Sequence, residues 1–244
     1  VAAPGLAIEW LGRVPYAEAL ARQERLVEAR REGRTGDVLL LLEHPPVITL
    51  GRRGRLEHVL APPERLAAQG IEVHRVGRGG DVTYHGPGQL VGYPIVDLAA
   101  RGTPDVGAFL RGLEAVLVAV LADLGLEGYT RPGQTGVFVG PGAPGPPRKI
   151  ASIGIGLRGW VTWHGFALNT SLDPVAFEAI VPCGLSDVAM TSVARERAAA
   201  AGGRAPGAGP AADLDARVRA RVAARFAEAF AETPARLAAP ALLR

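Results

Sequence analysis

Residues 149–168 constrain the fold more than any other stretch. Residues 149–157 and 161–168 both read as strands, and only Arg158-Gly159-Trp160 separates them. A tip this short, centred on glycine, joins strands that pair antiparallel, because a parallel pair needs a crossover of a dozen residues or more. A purely parallel, doubly wound sheet is therefore excluded. The same stretch holds Gly154-Ile-Gly-Leu-Arg-Gly159, which satisfies GxGxxG. That fingerprint grips a dinucleotide only where a strand turns into a helix whose N-terminus meets the pyrophosphate. Here Trp160-Val-Thr-Trp163 follows and continues as strand, so the glycines are assigned to the hairpin.

The rest of the chain alternates strands and helices. Residues 6–11 read as a first strand and 16–31 as an amphipathic helix with Leu20 and Val27 inward, stopped by Gly33 and Gly36. The apolar run 38–42 fits a strand buried on both faces, and His44-Pro45-Pro46 breaks it before a strand at 47–50. A short helix at 63–69, an alternating, half-buried strand at 71–76 and a strand at 90–97 follow. Pro104 opens a helix with Phe109, Leu113, Val116, Leu117, Val120 and Leu124 on one face. Residues 136–139 read as a strand, Asp173-Pro174 starts a short helix, and Pro182-Cys183-Gly184-Leu185 forms the turn after it. Residues 198–212, mostly Ala, Gly and Pro, read as a flexible loop. The C-terminal helix spans 213–232, with Leu214, Val218, Val222, Phe226 and Phe230 on its inner face. At 244 residues and 48% hydrophobic, this pattern fits one catalytic-size domain, 1–244. Alternating strands and helices with an antiparallel hairpin indicate an α/β class whose sheet is not purely parallel.

Composition removes several functions. A net charge of +3 is too small a field to argue for nucleic acid, although Arg52, Arg53 and Arg55 cluster in one loop that suits an acidic partner. No apolar run approaches the ~18 residues that span a bilayer, and no basic start precedes an apolar core, so a cytoplasmic protein without membrane contact is expected. The single cysteine excludes a disulfide framework or a multi-thiolate metal centre. His44, His58, His74, His85 and His164 show neither HxH nor HExxH spacing, and no metal is expected.

Lys149 is the one lysine among 27 Lys and Arg residues. A surface cation tolerates replacement by Arg, whereas a site needing an amine that can lose its proton does not. A chance survivor on the surface is the plainer alternative. Cys183 is likewise either an inert buried thiol or a nucleophile, and its place between proline and glycine leaves room for an acyl group. No His–Asp pair is evident beside any histidine. A neighbouring cationic amine lowers a thiol pKa and, when partly desolvated, can itself take a proton. One lone thiol and one lone amine thus make a coherent pair, although spacing alone does not bring them together.

The segment Arg78-Gly-Gly-Asp-Val-Thr-Tyr-His85-Gly-Pro-Gly-Gln89 is denser in special residues than a connection requires. It reads as an elaborate turn or as a binding loop whose glycines let backbone N–H groups approach a ligand. Gly165-Phe166-Ala167 offers a wall of mostly small residues beside it.

These segments, RGGDVTYHGPGQLVGYPIVDL from Arg78, KIASIGIGLRGWVTWHGFALN from Lys149 and the PCGL turn at Cys183, resemble in order the lipoyl (octanoyl) transferases, also called lipoate-protein ligase B, over about residues 8–195. The resemblance implies the α/β architecture of lipoate and biotin ligases, a mixed, largely antiparallel central sheet with a smaller sheet and flanking helices, and transfer of an octanoyl group from octanoyl-acyl carrier protein to a lysine of a lipoyl domain. The acceptors it implies are the lipoyl domains of 2-oxoacid dehydrogenase complexes and the glycine cleavage H protein. By position Cys183 matches the acyl-thioester nucleophile and Lys149 the acid/base. Arg78, Gly79, Gly80, Asp81, Val82, Thr83, Tyr84 and His85, together with Ser152, Ile153, Gly154, Gly165, Phe166 and Ala167, match the lining of the acyl site. Thioester exchange is nearly thermoneutral, so no nucleotide or other cofactor is expected. Two alternatives stand beside this: an ATP-dependent lipoate or biotin ligase, which activates its substrate as an adenylate and needs no cysteine, and a catalytically dead acyl-carrier-binding protein.

Overall fold

The computed structural model describes residues 5–184, 187–202 and 211–231. A large sheet runs in the order β1 (Ala7–Arg13), β2 (Val38–Glu43), β6 (Gln89–Ile95), β10 (Val161–Asn169), β9 (Arg148–Arg158), β8 (Gln134–Val139), β7 (Gly128–Arg131), with the two-residue β11 (Ala189–Met190) also against β9. Within this sheet, among the described residues, only β1–β2 and β11–β9 pair parallel. The hairpin expected from the sequence is β9–β10, paired from Val161↔Arg158 to Leu168↔Ala151. A smaller sheet holds β3 (Val47–Leu50) between β4 (Glu72–Arg75) and β5 (Val82–His85). The mixed, mostly antiparallel class is as the sequence implies.

Period-two alternation divides the large sheet into two faces. Leu39 and Leu41 of β2, with Val137, Ala151, Phe166 and Leu168, pack under α3 (Val106–Asp123) and α5 (Ala211–Ala231). Val38, Leu40, Leu42, Val91, Tyr93 and Ala167 face α1 (Tyr16–Arg31) with Ala19. This explains why β2 is apolar throughout: both of its faces are covered. The α5 stripe Val218, Val222, Phe226 and Phe230 is buried as its periodicity predicts, and Phe226 stacks on Phe166 at 5.2 Å. Among the described residues no helix is long and apolar enough to cross a membrane.

Several expectations need correction. Val82–His85 is a strand buried along its length, because its flanking glycines hide a short apolar alternation. The helix expected from Pro104 begins at Val106, where the Asp105 carboxylate accepts from Ala108 N at 2.9 Å and caps it. β4 is an edge strand with Val73 42% exposed, not half-buried. Residues 198–200 end α4 (Val193–Ala200) and residues 211–212 begin α5; 203–210 lie outside the described residues. α4, β7 and β11 had no clear signal in the sequence.

Candidate functional site

A cleft opens on the α1 face of the large sheet, walled by β9, β10, β5 and the 78–81 loop. The loop lies directly on β9: Gly79 N donates to Ile155 O at 2.8 Å, and a Cβ on Gly154 would stand 2.7 Å from Gly79 O. On Gly156 it would stand 2.9 Å from Gly77 O. Gly154 and Gly156, in the β9–β10 hairpin to which the sequence assigns them, therefore serve close backbone approach.

Of the residues matched to an acyl site, Arg78, Gly80, Asp81, Thr83, His85, Ser152, Ile153, Gly154, Gly165, Phe166 and Ala167 line this cleft. Gly79, Val82 and Tyr84 are not among its lining. The alternation of β5 is the reason: Thr83 and His85 turn to the cleft while Val82 and Tyr84 pack with Ile48, Leu50 and Phe177 under the smaller sheet. Arg78 is buried and anchors the loop, donating from Nη2 to Thr49 O at 2.7 Å and Thr49 Oγ1 at 2.9 Å. Tyr16, Tyr93 and His164 also line the cleft; none of them was among the residues matched to the acyl site, although Tyr93 and His164 lie within the segments that carry the resemblance.

The cleft is kept uncharged at its histidines. Burial pushes His85 down to about 3 and His44, behind it, down to about 4. His44 Nδ1 donates to Val14 O at 2.7 Å, which leaves Nε2 to accept from Tyr93 OH at 2.7 Å. Burial raises Tyr93 well above its ordinary value and Tyr16 to about 12, so both phenols stay protonated.

Lys149 reaches this face through a register change. Val137 pairs with Ala151 but Phe138 with Lys149, so Ile150 is an extra residue in β9. Such a bulge turns the following side chains over. Ala151 faces the α3/α5 core, whereas Lys149 emerges with Phe138 and Gly136 on the opposite side, its Nζ 5.6 Å from the Phe138 ring centre. Lys149 is 2% exposed, and its Nζ donates to Thr135 O at 2.9 Å. Gly136, at φ +127°, makes room for it, and Glu114 of α3 fixes that turn by accepting from Gly136 N at 2.9 Å.

Cys183 lies in a single 3-10 turn, Pro182–Gly184, after a 3-10 helix at Pro174–Ala179. Val181 N donates to His58 O at 2.8 Å, and a Cβ on Gly184 (φ +67°) would stand 2.7 Å from Asp81 Oδ2. Asp81 in turn accepts from His58 Nδ1 at 2.5 Å, Val82 N at 2.8 Å and Arg55 N at 3.1 Å. One carboxylate thus ties the 78–81 loop, the arginine loop and the cysteine turn together, and the His58–Asp81 pair is one the sequence did not reveal. After the turn the chain returns to Lys149: Met190 pairs with Lys149 across β11–β9, and Thr191 N donates to Lys149 O at 3.0 Å. The Cys183 side chain, and so its expected contact with Lys149, lies outside the described residues.

Residues 15–201 match the family described as the lipoyl protein ligase A/B catalytic domain. The chain is 50% identical over 192 residues to a protein named octanoyltransferase from Acidobacterium capsulatum, covering 76% of this chain and 78% of that one. It is 54% identical over 176 residues to an octanoyltransferase of Solibacter usitatus, covering 72% and 77%. Among solved structures, P. falciparum LipL1 in complex with lipoate superposes with a TM-score of 0.68 at 10% identity, covering 93% of this chain and 62% of that one. A bi-partite lipoate protein ligase from Thermoplasma acidophilum gives 0.59 at 19% identity, covering 92% and 83%. These two likenesses concern the fold. With the family matched over most of its length and the relatives half identical, this chain belongs to the lipoyl protein ligase A/B catalytic-domain family.

Proposed function

We propose that the protein takes an octanoyl group from octanoyl-acyl carrier protein onto Cys183 as a thioester and passes it to a lysine amine of a lipoyl domain. Half-identity to the named octanoyltransferases over most of both chains makes it an octanoyltransferase, an acyltransferase of protein lipoylation. Carrier, thioester, acceptors (2-oxoacid dehydrogenase lipoyl domains and the glycine cleavage H protein) and a cytoplasmic setting belong to the proposal.

The observation that carries it is the bulge at Ile150, which turns the only lysine onto the face that bears the cleft. In the proposed first half-reaction Lys149 takes the Cys183 proton, and the thiolate attacks the donor's carbonyl carbon. A new C–S bond forms, the bond to the carrier's thiol breaks, and that thiol leaves with the proton from Lys149. In the second, the acceptor amine attacks the acyl-Cys183 carbonyl, a C–N bond forms and the C–S bond breaks. The amine's proton passes to Lys149 and then to the released sulfur. Both steps balance without a nucleotide. A buried alkyl chain contributes ~0.8 kcal/mol per methylene, enough to hold the donor's tail in a dry slot.

Intact-mass measurement after incubation with octanoyl-carrier tests this. One octanoyl adduct is expected, absent in Cys183→Ser. A Cys183→Ser variant that still modifies a lipoyl domain when given ATP and octanoate would instead identify a ligase, and a chain that binds the carrier without adduct or transfer would identify a carrier-binding protein.

A further inference from the structure

His164 is the most irregular residue beside the cleft. It sits inside β10 with φ +54°, a left-handed conformation that a histidine in a strand adopts rarely. The consequence is visible in its neighbours. Side chains along a strand alternate, yet Trp163 packs with Val27 on the α1 side, and the rings of Trp163 and His164 lie 4.3 Å apart on the same face. Regular backbone would send the His164 ring toward the α3/α5 core, where Phe166 lies. The left-handed turn brings it to the cleft, where it is 1% exposed. Its backbone N donates to Gln23 Oε1 of α1 at 2.8 Å, and among the described residues its Nε2 has no hydrogen-bond partner. The left-handed backbone and the Trp163 ring thus hold the imidazole, with no hydrogen bond at Nε2 among the described residues. Such strain persists where the surrounding structure over-determines it, and clusters at ligand sites.

The ladder gives its position along the cleft. Counting from the Lys149 end, the paired positions are Ala167↔Ser152, Phe166↔Ile153, Gly165↔Gly154 and His164↔Ile155. From Ser152 to Ile155 a strand advances about 10 Å, close to the length of an extended eight-carbon chain. Tyr93, whose ring centre is 6.4 Å from that of His164, closes the same end.

We propose that His164 is the end wall of the acyl slot and sets the length of chain it accepts, stopping the tail near eight carbons. This rests on the functional reading above for the direction of the chain, reacting carbon at the Ser152–Ala167 end, the one nearer Lys149, and methyl end at His164. A neutral ring suits a methyl terminus, and burial, with Arg78 and Arg52 nearby, pushes His164 down to about 3.

The test separates binding from catalysis. In the full chain carrying Trp10→Phe and Trp160→Phe, Trp163 is the one tryptophan left, and its emission reports a ligand that reaches His164. Hexanoate, octanoate, decanoate and dodecanoate are titrated as free acids. Octanoate is expected to bind best. His164→Gly, which removes the ring while relieving the left-handed backbone, is expected to tighten decanoate relative to octanoate by about tenfold, the worth of two buried methylenes. His164→Asn, which tolerates the same backbone, keeps the test alive should glycine loosen the strand, with a smaller shift in the same direction. An unchanged order of affinities in both folded variants overturns the wall. So does tighter binding of 8-hydroxyoctanoate than octanoate that His164→Gly abolishes, since the ring would then read a polar end. Absence of an octanoyl adduct from octanoyl-carrier, with the length profile shifting as expected, would count against the transferase reading alone.

Discussion

A methyl group on Gly136 would stand 2.7 Å from Lys149 Cε and 3.2 Å from Nζ. The single lysine and this glycine on the neighbouring strand occupy one space, so the amine's position depends on there being no side chain at 136. Gly136→Ala also sets the methyl 2.5 Å from Ala151 O of β9 and forces a Cβ into φ +127°, the backbone strain alone costing about 1–3 kcal/mol. Displacement of a reacting group by an ångström costs on the order of 10²-fold in rate. The variant is expected to lose octanoyl transfer by that order while its unfolding midpoint drops by a few degrees. Full activity in a folded Gly136→Ala would remove Lys149 from the reaction.

Asp81 gives a second prediction. Its Oδ2 accepts from His58 Nδ1 and abuts Gly184, while Oδ1 accepts from the backbone of Val82 and Arg55. Asp81→Asn keeps the shape but turns one acceptor into a donor facing His58. Leaving a buried donor unmatched costs about 1–3 kcal/mol. Hydrogen exchange at residues 181–184 is expected to speed up by tenfold or more, and Cys183 to be alkylated faster at fixed pH. Unaltered exchange there would mean the cysteine turn does not lean on Asp81.

Stability is expected to depend on pH through His44, His85 and His164. Burial lowers these to about 4, 3 and 3, against 6.5 when unfolded. Between those limits the unfolded chain binds protons that the native chain does not, so stability rises with pH. It is therefore flat in this respect above about pH 7 and lost progressively from pH 6.5 toward 4, with uptake of up to three protons on unfolding. Denaturant midpoints measured at pH 5 and 7.5 check this. Equal midpoints would show the histidines titrating freely.

How much of this was legible in the sequence follows from the kind of information each feature needs. The β9–β10 hairpin, α1 and the inner face of α5 carry strong local periodicity, and each appears close to where it was read. Lys149 and Cys183 stood out because each is the only residue of its type. Which of the loop residues reach the cleft was not legible, because Thr83 and His85 part from Val82 and Tyr84 only once Val82–His85 is a strand. The bulge at Ile150 depends on register against β8, a long-range property. Gly136 gave the one clue available, a glycine in a strand pattern, which marks a bulge or a close approach. The His58–Asp81 pair and the left-handed His164 are tertiary features with no local signature.

The arginine loop supplies the last prediction. Its backbone is fixed to the binding loop, with Arg52 N donating to Arg78 O at 3.0 Å and Arg53 N to Gly80 O at 3.2 Å, while the side chains of Arg52, Arg53 and Arg55 are exposed. Substituting Arg53 and Arg55 therefore changes the surface field and leaves those backbone bonds in place. Charges at the rim of an interface act on the rate of encounter and are screened by salt. Arg53→Glu with Arg55→Glu is expected to raise KM for an acidic acyl carrier by about tenfold at low ionic strength, with kcat for bound substrate retained and the difference shrinking above 0.3 M salt, where the screening length falls to about 5 Å. Steady-state rates at two ionic strengths decide the matter: an unchanged KM at low salt would place the carrier on another surface.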